Sequence, residues 1–372
     1  MGGAFCPDCP RTMAGSGPVP ASGGKTHRMI TPQLLERHAA FWKGRGTAPL
    51  IGSMAKKHWS KNPYPVGAKD LICEPRMIQA HELELRRLIG VKDAESGGPP
   101  GDLINPVGIR YPEAWMEAFL GCPIFASETS CTAKPCHSGC GETLAAFDRE
   151  AVFGSAWFAK AKESVATGDT LAGEALPTRQ LHLRGIIDML TAVMGETNLC
   201  MEVYDNAGEL DRLAKTYAEF YIDAAKRLLA LRKRWRGGCV STWRLYYPGE
   251  LLDYQIDASS LFSKEQYEEH FLRHDERVID QFEASIVHLH TCGLHHLESV
   301  LKIRKLSAIE INLDRESTAW EPERIIRAAN RIQEAGKSVI LVGRLNRGEL
   351  DGVISKTNHR GLAINNWFAE EL

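Results

Sequence analysis

From about residue 200 onward, short apolar runs of strand character alternate with amphipathic helical stripes, and little chain separates them. Strands are expected at 240–247, 285–292, 306–313, 338–343 and 361–364. Leu210, Leu213, Tyr217, Phe220, Tyr221, Ala224 and Leu228 recur at helical spacing. Tyr267, Phe271, His274, Val278 and Phe282 make a second stripe, where His274 reads as a core or boundary residue. Ile325, Ile326, Ala329 and Ile332 make a third, opened by Pro322 and ended by Gly336. Asn206 with Glu209, and Ser263 with Gln266, have capping-box spacing. Strands separated by helices pair in parallel, so the pattern specifies a parallel α/β fold. No glycine-rich nucleotide fingerprint or P-loop follows a strand, which disfavours a nucleotide-binding doubly wound sheet.

The first half is less periodic. Residues 1–28 are rich in Gly, Pro and Ser and read as a disordered tail ahead of one domain, 29–372. The tail's Cys6 and Cys9 lack the second pair that a zinc ribbon needs. Thr31 and Pro32 begin a helix, 49–54 reads as a buried strand, 76–89 as a helix and 97–101 as a loop. Cys131, Cys136, His137 and Cys140 crowd an irregular stretch that has the donors for structural zinc, with an unmetallated loop as the default. The net charge of -2 makes no case for nucleic acid or an anionic membrane. The basic run Arg232, Lys233, Arg234 and Arg236 closes a helix, where it complements the dipole. No apolar run nears the ~18–20 residues that span a bilayer, and no signal peptide is visible. Ten cysteines in so long a chain suit free or metal-bound thiols in a reducing cytoplasm.

The chemistry concentrates at 285–293. Along a strand, alternation puts Ile286, His288, His290 and Cys292 on one face and Val287 and Leu289 on the other. A His-x-Cys pair at the C-terminal end of a strand can hold zinc, and in an α/β barrel that end carries the active site. On the next strand Ala308, Glu310 and Asn312 share a face. A glutamate there is costly to bury unless paired or metal-bound.

Asp253 to Asp257, then Leu261 to Glu269, then His290, Thr291, Cys292 and Gly293 resemble the uroporphyrinogen decarboxylase superfamily. Leu183, Arg184 and Gly185, ahead of the helix from Asn206, are in character. That superfamily includes porphyrinogen decarboxylases and zinc-dependent corrinoid:thiol methyltransferases, with cobalamin-independent methionine synthase more distant. The resemblance is fair over 180–372 and weak over 30–180. It implies a (β/α)8 TIM barrel with its active site at the C-terminal strand ends.

The decarboxylases carry an arginine-rich stretch after the first barrel strand, suited to a polycarboxylate. Here Gly52, Ser53, Met54, Ala55, Lys56, Lys57, His58 and Trp59 stand in that place, without arginine. The methyltransferases bind zinc through His-x-Cys and a later cysteine. His290 and Cys292 match the first pair, but Asn365, Asn366 and Trp367 stand where the later thiol is expected. Ile309 and Glu310 resemble the zinc-binding Ile-Glu pair of the methionine synthases. The resemblance thus implies a zinc-dependent methyltransferase acting with a thiol and a corrinoid or other methyl donor. Its metal ligands would be His290, Cys292 and Glu310. Asp257 would orient a ligand or substrate, and Asn312 and Asn365 would line the pocket. A tetrapyrrole decarboxylase and a non-catalytic barrel binding protein remain the alternatives, with Glu310 then paired to a lysine or arginine. Expected partners are a small-molecule substrate, a corrinoid protein and a second copy in a homodimer, with no nucleic acid and no membrane.

Overall fold

Side-chain alternation sorts the parallel strands into two faces, and those faces build two separate cores. In the computed structural model, residues 30–55, 74–75, 101–107, 114–126, 131–317 and 320–368 are described. The expected tail, the 76–89 helix, residues 97–100 of the loop and Lys56 and Lys57 lie outside them. The strands are β1 (Leu50–Ala55), β2 (Ile124–Ala126), β3 (Cys131–Ala133), β4 (Cys239–Val240), β5 (Tyr246–Tyr247), β6 (Leu251–Gln255), β7 (Ala284–His290), β8 (Ala308–Leu313), β9 (Ser338–Gly343) and β10 (Leu362–Phe368). Six form one parallel sheet in the order β1-β10-β9-β8-β7-β6. Single bridges continue beyond both edges, from Gln255 to Arg184, Thr178 to Val107 and Gly101 to Gly52.

On one face Leu50, Leu251, Ala284, Ile286, Ala308, Ile340, Val342 and Ala363 pack together with Trp243 and Leu245. On the other Val287, Leu289, Ile309, Ile311, Val339, Leu341 and Ile364 join the helices in a larger core. Each Val, Leu or Ile side chain among these contributes about 1.5–3 kcal/mol relative to an exposed position, and each alanine less. A one-residue slip would exchange the two cores, so the register is tightly specified.

The local signals mostly hold. Thr31 accepts from the Leu34 amide to start the helix Pro32–Trp42. The Ser263–Gln266 capping box forms with both hydrogen bonds and opens the helix Lys264–His270. Its stripe continues in a second helix, Leu272–Ile279, after a break at Phe271. All seven residues of the first stripe are buried on the helix Ala207–Leu231.

Four expectations are corrected. Asn206 makes no side-chain cap: it is the joint between Glu196–Asp205 and Ala207–Leu231, where its carbonyl accepts from Glu209 and Leu210. Arg232 does not complement a dipole at the surface: it is drawn inward to donate to the carbonyls of Thr178 and Val240. The expected strand 240–247 is instead two short antiparallel pieces, β4 and β5, with Trp243 and Arg244 in the turn between. Arg244 there has a left-handed backbone, φ 71°. The expected strand 285–292 stops at His290. The Thr291 hydroxyl donates to the Asn312 carbonyl at 2.8 Å and its amide to Asp314 Oδ2 at 3.2 Å. These bonds turn the chain out of the sheet into a 3-10 helix, Thr291–His296.

Candidate metal centre

The register sets the site. Gln255, His288 and Glu310 are lateral neighbours on β6, β7 and β8. One layer nearer the C-terminal ends, His290, Asn312, Val342, Asn365 and Gly52 align across β7, β8, β9, β10 and β1. Both layers face the core that holds Leu50, Leu251, Ile286, Ala308, Ile340 and Ala363, because each residue lies two or four positions along its strand from one of these. Asp257 sits two residues past the end of β6, in the short 3-10 helix Asp257–Leu261.

Asp257, His288 and His290 offer donor atoms that all lie within 4.8 Å of one another. His288 Nε2 is 3.5 Å from Asp257 Oδ1, and His290 Nε2 is 3.5 Å from Asp257 Oδ2. The other ring nitrogens are already engaged. His288 Nδ1 meets the buried Glu310 carboxylate, and His290 Nδ1 meets Asp314 Oδ2 at 2.8 Å. Both rings are thus held by Nδ1 and turn Nε2 toward Asp257. Asn312 braces the second pair by donating to Asp314 Oδ1 at 2.7 Å. Gln255 donates to Asp257, and Trp243 stacks on His288 with centroids 5.8 Å apart and planes at 13°.

The field at the centre is negative. Burial opposes a charge on His290, but its hydrogen bonds to Asp257 and Asp314 outweigh that and push its pKa up to about 11. Burial opposes a charge on His288 too, and Glu310 and Asp257 still raise its pKa. Asp257 is held well below the usual carboxylate range, because His288, His290 and Arg184 outweigh its burial. Burial pushes Glu310 up against the pull of His288. Three carboxylates around two imidazoles favour a cation there, whether protons or a metal ion.

The donors suit a metal. Two imidazoles and a carboxylate form a three-ligand set with room for a further ligand, as in catalytic zinc sites. A carboxylate behind each imidazole fixes the tautomer and raises the basicity of the ligating nitrogen. Asp257 Oδ1, although buried, has no hydrogen-bond partner among the described residues.

Of the expected residues, the fold brings together His290, Asp257, Glu310 and Asn312. Glu310 reaches the centre through His288, as its hydrogen-bond partner. Cys292 lies in the turn beyond β7, is exposed, and is outside the donor cluster. Asn365 faces the interior but is 3 % exposed, and its Oδ1 accepts from Arg244 at 3.0 Å. His288 shares its strand face with His290 in the sequence, but the His-x-Cys pattern includes only His290 and Cys292. Asp314, just beyond β8, gave no sequence signal except its place at a strand end. Trp243 reaches the site from the turn between β4 and β5, which the linear pattern of 240–247 does not mark. Cys131 lies in β3, Cys136 and His137 in the following loop, and Cys140 starts the helix Cys140–Ala146.

No family model matches the sequence, and no curated protein matches it. The fold does have solved likenesses. A methyltransferase from Methanosarcina mazei superposes with a TM-score of 0.57 at 11% identity, covering 91% of this chain and 94% of that one. The fold is therefore α/β with a parallel six-stranded sheet, similar to that of a methyltransferase. No described helix is long and apolar enough to cross a membrane.

Proposed function

We propose that this chain is a metal-dependent methyltransferase-like enzyme on a (β/α)8 barrel, with zinc held by Asp257, His288 and His290. The carrying observation is the paired orientation of the imidazoles, each with Nδ1 on a carboxylate and Nε2 toward Asp257. The bridges beyond both sheet edges support the barrel, since they link β6 to β1 through residues 178–184 and 101–107. The likeness to a methyltransferase supports the reaction class by analogy of fold.

Zinc bound there would act as a Lewis acid that lowers the pKa of a coordinated thiol or water. Glu310 and Asp314 hold the rings in the ligating tautomer. Trp243 covers the face of His288 and limits water at that side. The substrate is a small thiol, and the methyl donor a corrinoid, free or carried by a protein.

The test joins metal analysis to activity. Purified protein should carry about one zinc per chain, and His288→Ala and His290→Ala should each lose it while keeping the fold. Zinc-loaded protein should then methylate a thiol from methylcobalamin. Metal retained by both variants refutes the site. Metal bound with no transfer to any of a panel of thiols refutes the reaction class.

A further inference from the structure

A second group of reactive side chains lies away from the metal centre. Cys122, in the turn after the helix Trp115–Phe119, and Cys136, in the loop after β3, bring their sulfurs to 3.6 Å. Cys122 is buried and Cys136 is partly exposed. The Cys136 loop is pinned, because Val193 O accepts from the amides of Cys136 and His137 at 2.9 and 3.1 Å. Cys122 is held from the same helix, Ile186–Met194, where Ala192 O lies 3.7 Å from its sulfur. Two thiols fixed by one helix, one reachable and one sheltered, are arranged as an attacking and a resolving pair.

We propose that Cys122 and Cys136 are a reversible redox pair that closes to an intramolecular disulfide when a peroxide oxidises Cys136.

The electrostatics agree with the division of roles. The hydrogen bond with Cys122 outweighs burial and draws the Cys136 thiol down to about 7, while the same bond and burial raise Cys122. The Cys136 thiolate attacks one peroxide oxygen, the O–O bond breaks, and hydroxide leaves, giving the sulfenic acid. The Cys122 sulfur then attacks the Cys136 sulfur. The S–O bond breaks, and the departing hydroxide takes the Cys122 proton and leaves as water. Two thiol sulfurs are oxidised by two electrons in total, and the peroxide is reduced. Thiol exchange with a dithiol reductant reverses the step.

Closure requires the sulfurs to approach from 3.6 Å to the ~2.05 Å of a disulfide. Rotation about the Cys136 side chain would supply that movement, since that thiol is the more exposed of the two. The same helix carries Asp188, whose Oδ1 accepts from the Ala258 amide at 2.7 Å next to Asp257. The pair is therefore one helix removed from the metal centre.

The experiment is a hydrogen peroxide titration of the full chain, quenched with iodoacetamide and mapped by mass spectrometry without reductant. The expected result is a Cys122–Cys136 cross-linked peptide that rises toward full occupancy and disappears after dithiothreitol. Cys122→Ser should instead accumulate dimedone-reactive Cys136. Cys136→Ser should leave Cys122 unoxidised at the same peroxide concentration. The exposed Cys292 provides the contrast. If Cys292 oxidises first while Cys122 and Cys136 stay fully alkylatable after unfolding, the pair is not a redox site. Accumulation of Cys136 sulfinic acid in the unsubstituted protein would equally overturn the proposal, because Cys122 would then fail to resolve it.

Discussion

Glu310→Gln probes how the proposed metal centre is held. Glu310 is fully buried, with one carboxylate oxygen on His288 Nδ1 and the other without a hydrogen-bond partner among the described residues. The amide keeps the shape and can still accept from the ring, but it removes the charge that makes His288 Nε2 a strong donor. Loss of such a carboxylate typically weakens metal affinity about 10–100-fold, or about 1.4–2.7 kcal/mol. Asp314 does the same for His290 but is 27 % exposed. Water screens that charge, so Asp314→Asn should cost less, about threefold to tenfold. His288→Ala, which removes a ligand outright, should cost more than either. Zinc affinities measured by competition with a chromophoric chelator, with thermal melts to confirm folding, give the ranking. Equal losses for Glu310→Gln and His288→Ala would make Glu310 a direct ligand. A larger loss for Asp314→Asn than for Glu310→Gln would refute the burial argument.

Three further outcomes are expected. Cys292→Ser should leave metal content unchanged by atomic emission analysis, because the thiol lies outside the donor cluster; loss of the metal would restore it as a ligand. Burial pushes Asp275, which accepts from Tyr254 and Tyr267, up to about 6. Its folded pKa lies above the unfolded value of about 3.9, so its stabilising contribution is full below pH 4. As pH rises through 6 that contribution is lost, by up to about 3 kcal/mol. The stability difference between the unsubstituted protein and Asp275→Asn, from urea melts at pH 4 to 7, should shrink accordingly, and a constant difference would refute it. Gly185→Ala should destabilise by about 2–3 kcal/mol, since a Cβ there would lie 2.3 Å from the Gln255 carbonyl. An unchanged urea midpoint would show that the helix start at Ile186 can shift away from β6.

The parallel α/β class, the helix stripes and the faces of β7 and β8 were legible because each follows from local periodicity. His288 and His290 share a face, as do Glu310 and Asn312, by alternation alone, and Ser263 and Gln266 announce a helix start by spacing alone. The ends of elements depended on distant partners. Thr291 leaves the sheet because Asn312 on β8 and Asp314 just beyond it take its hydroxyl and amide, and that exit carries Cys292 out of the donor cluster. Arg232 likewise obeys a distant neighbour supplied by packing, the Thr178 carbonyl, rather than its own sequence context. The cluster of donor groups was assembled across strands: His288 meets Glu310 because β7 and β8 pair in that register, and Asp257 meets both imidazoles because β6 ends beside them. A linear pattern shows which way a side chain points along one strand. Which nitrogen of a histidine is occupied, and which is left for a metal, depends on a carboxylate more than twenty residues away.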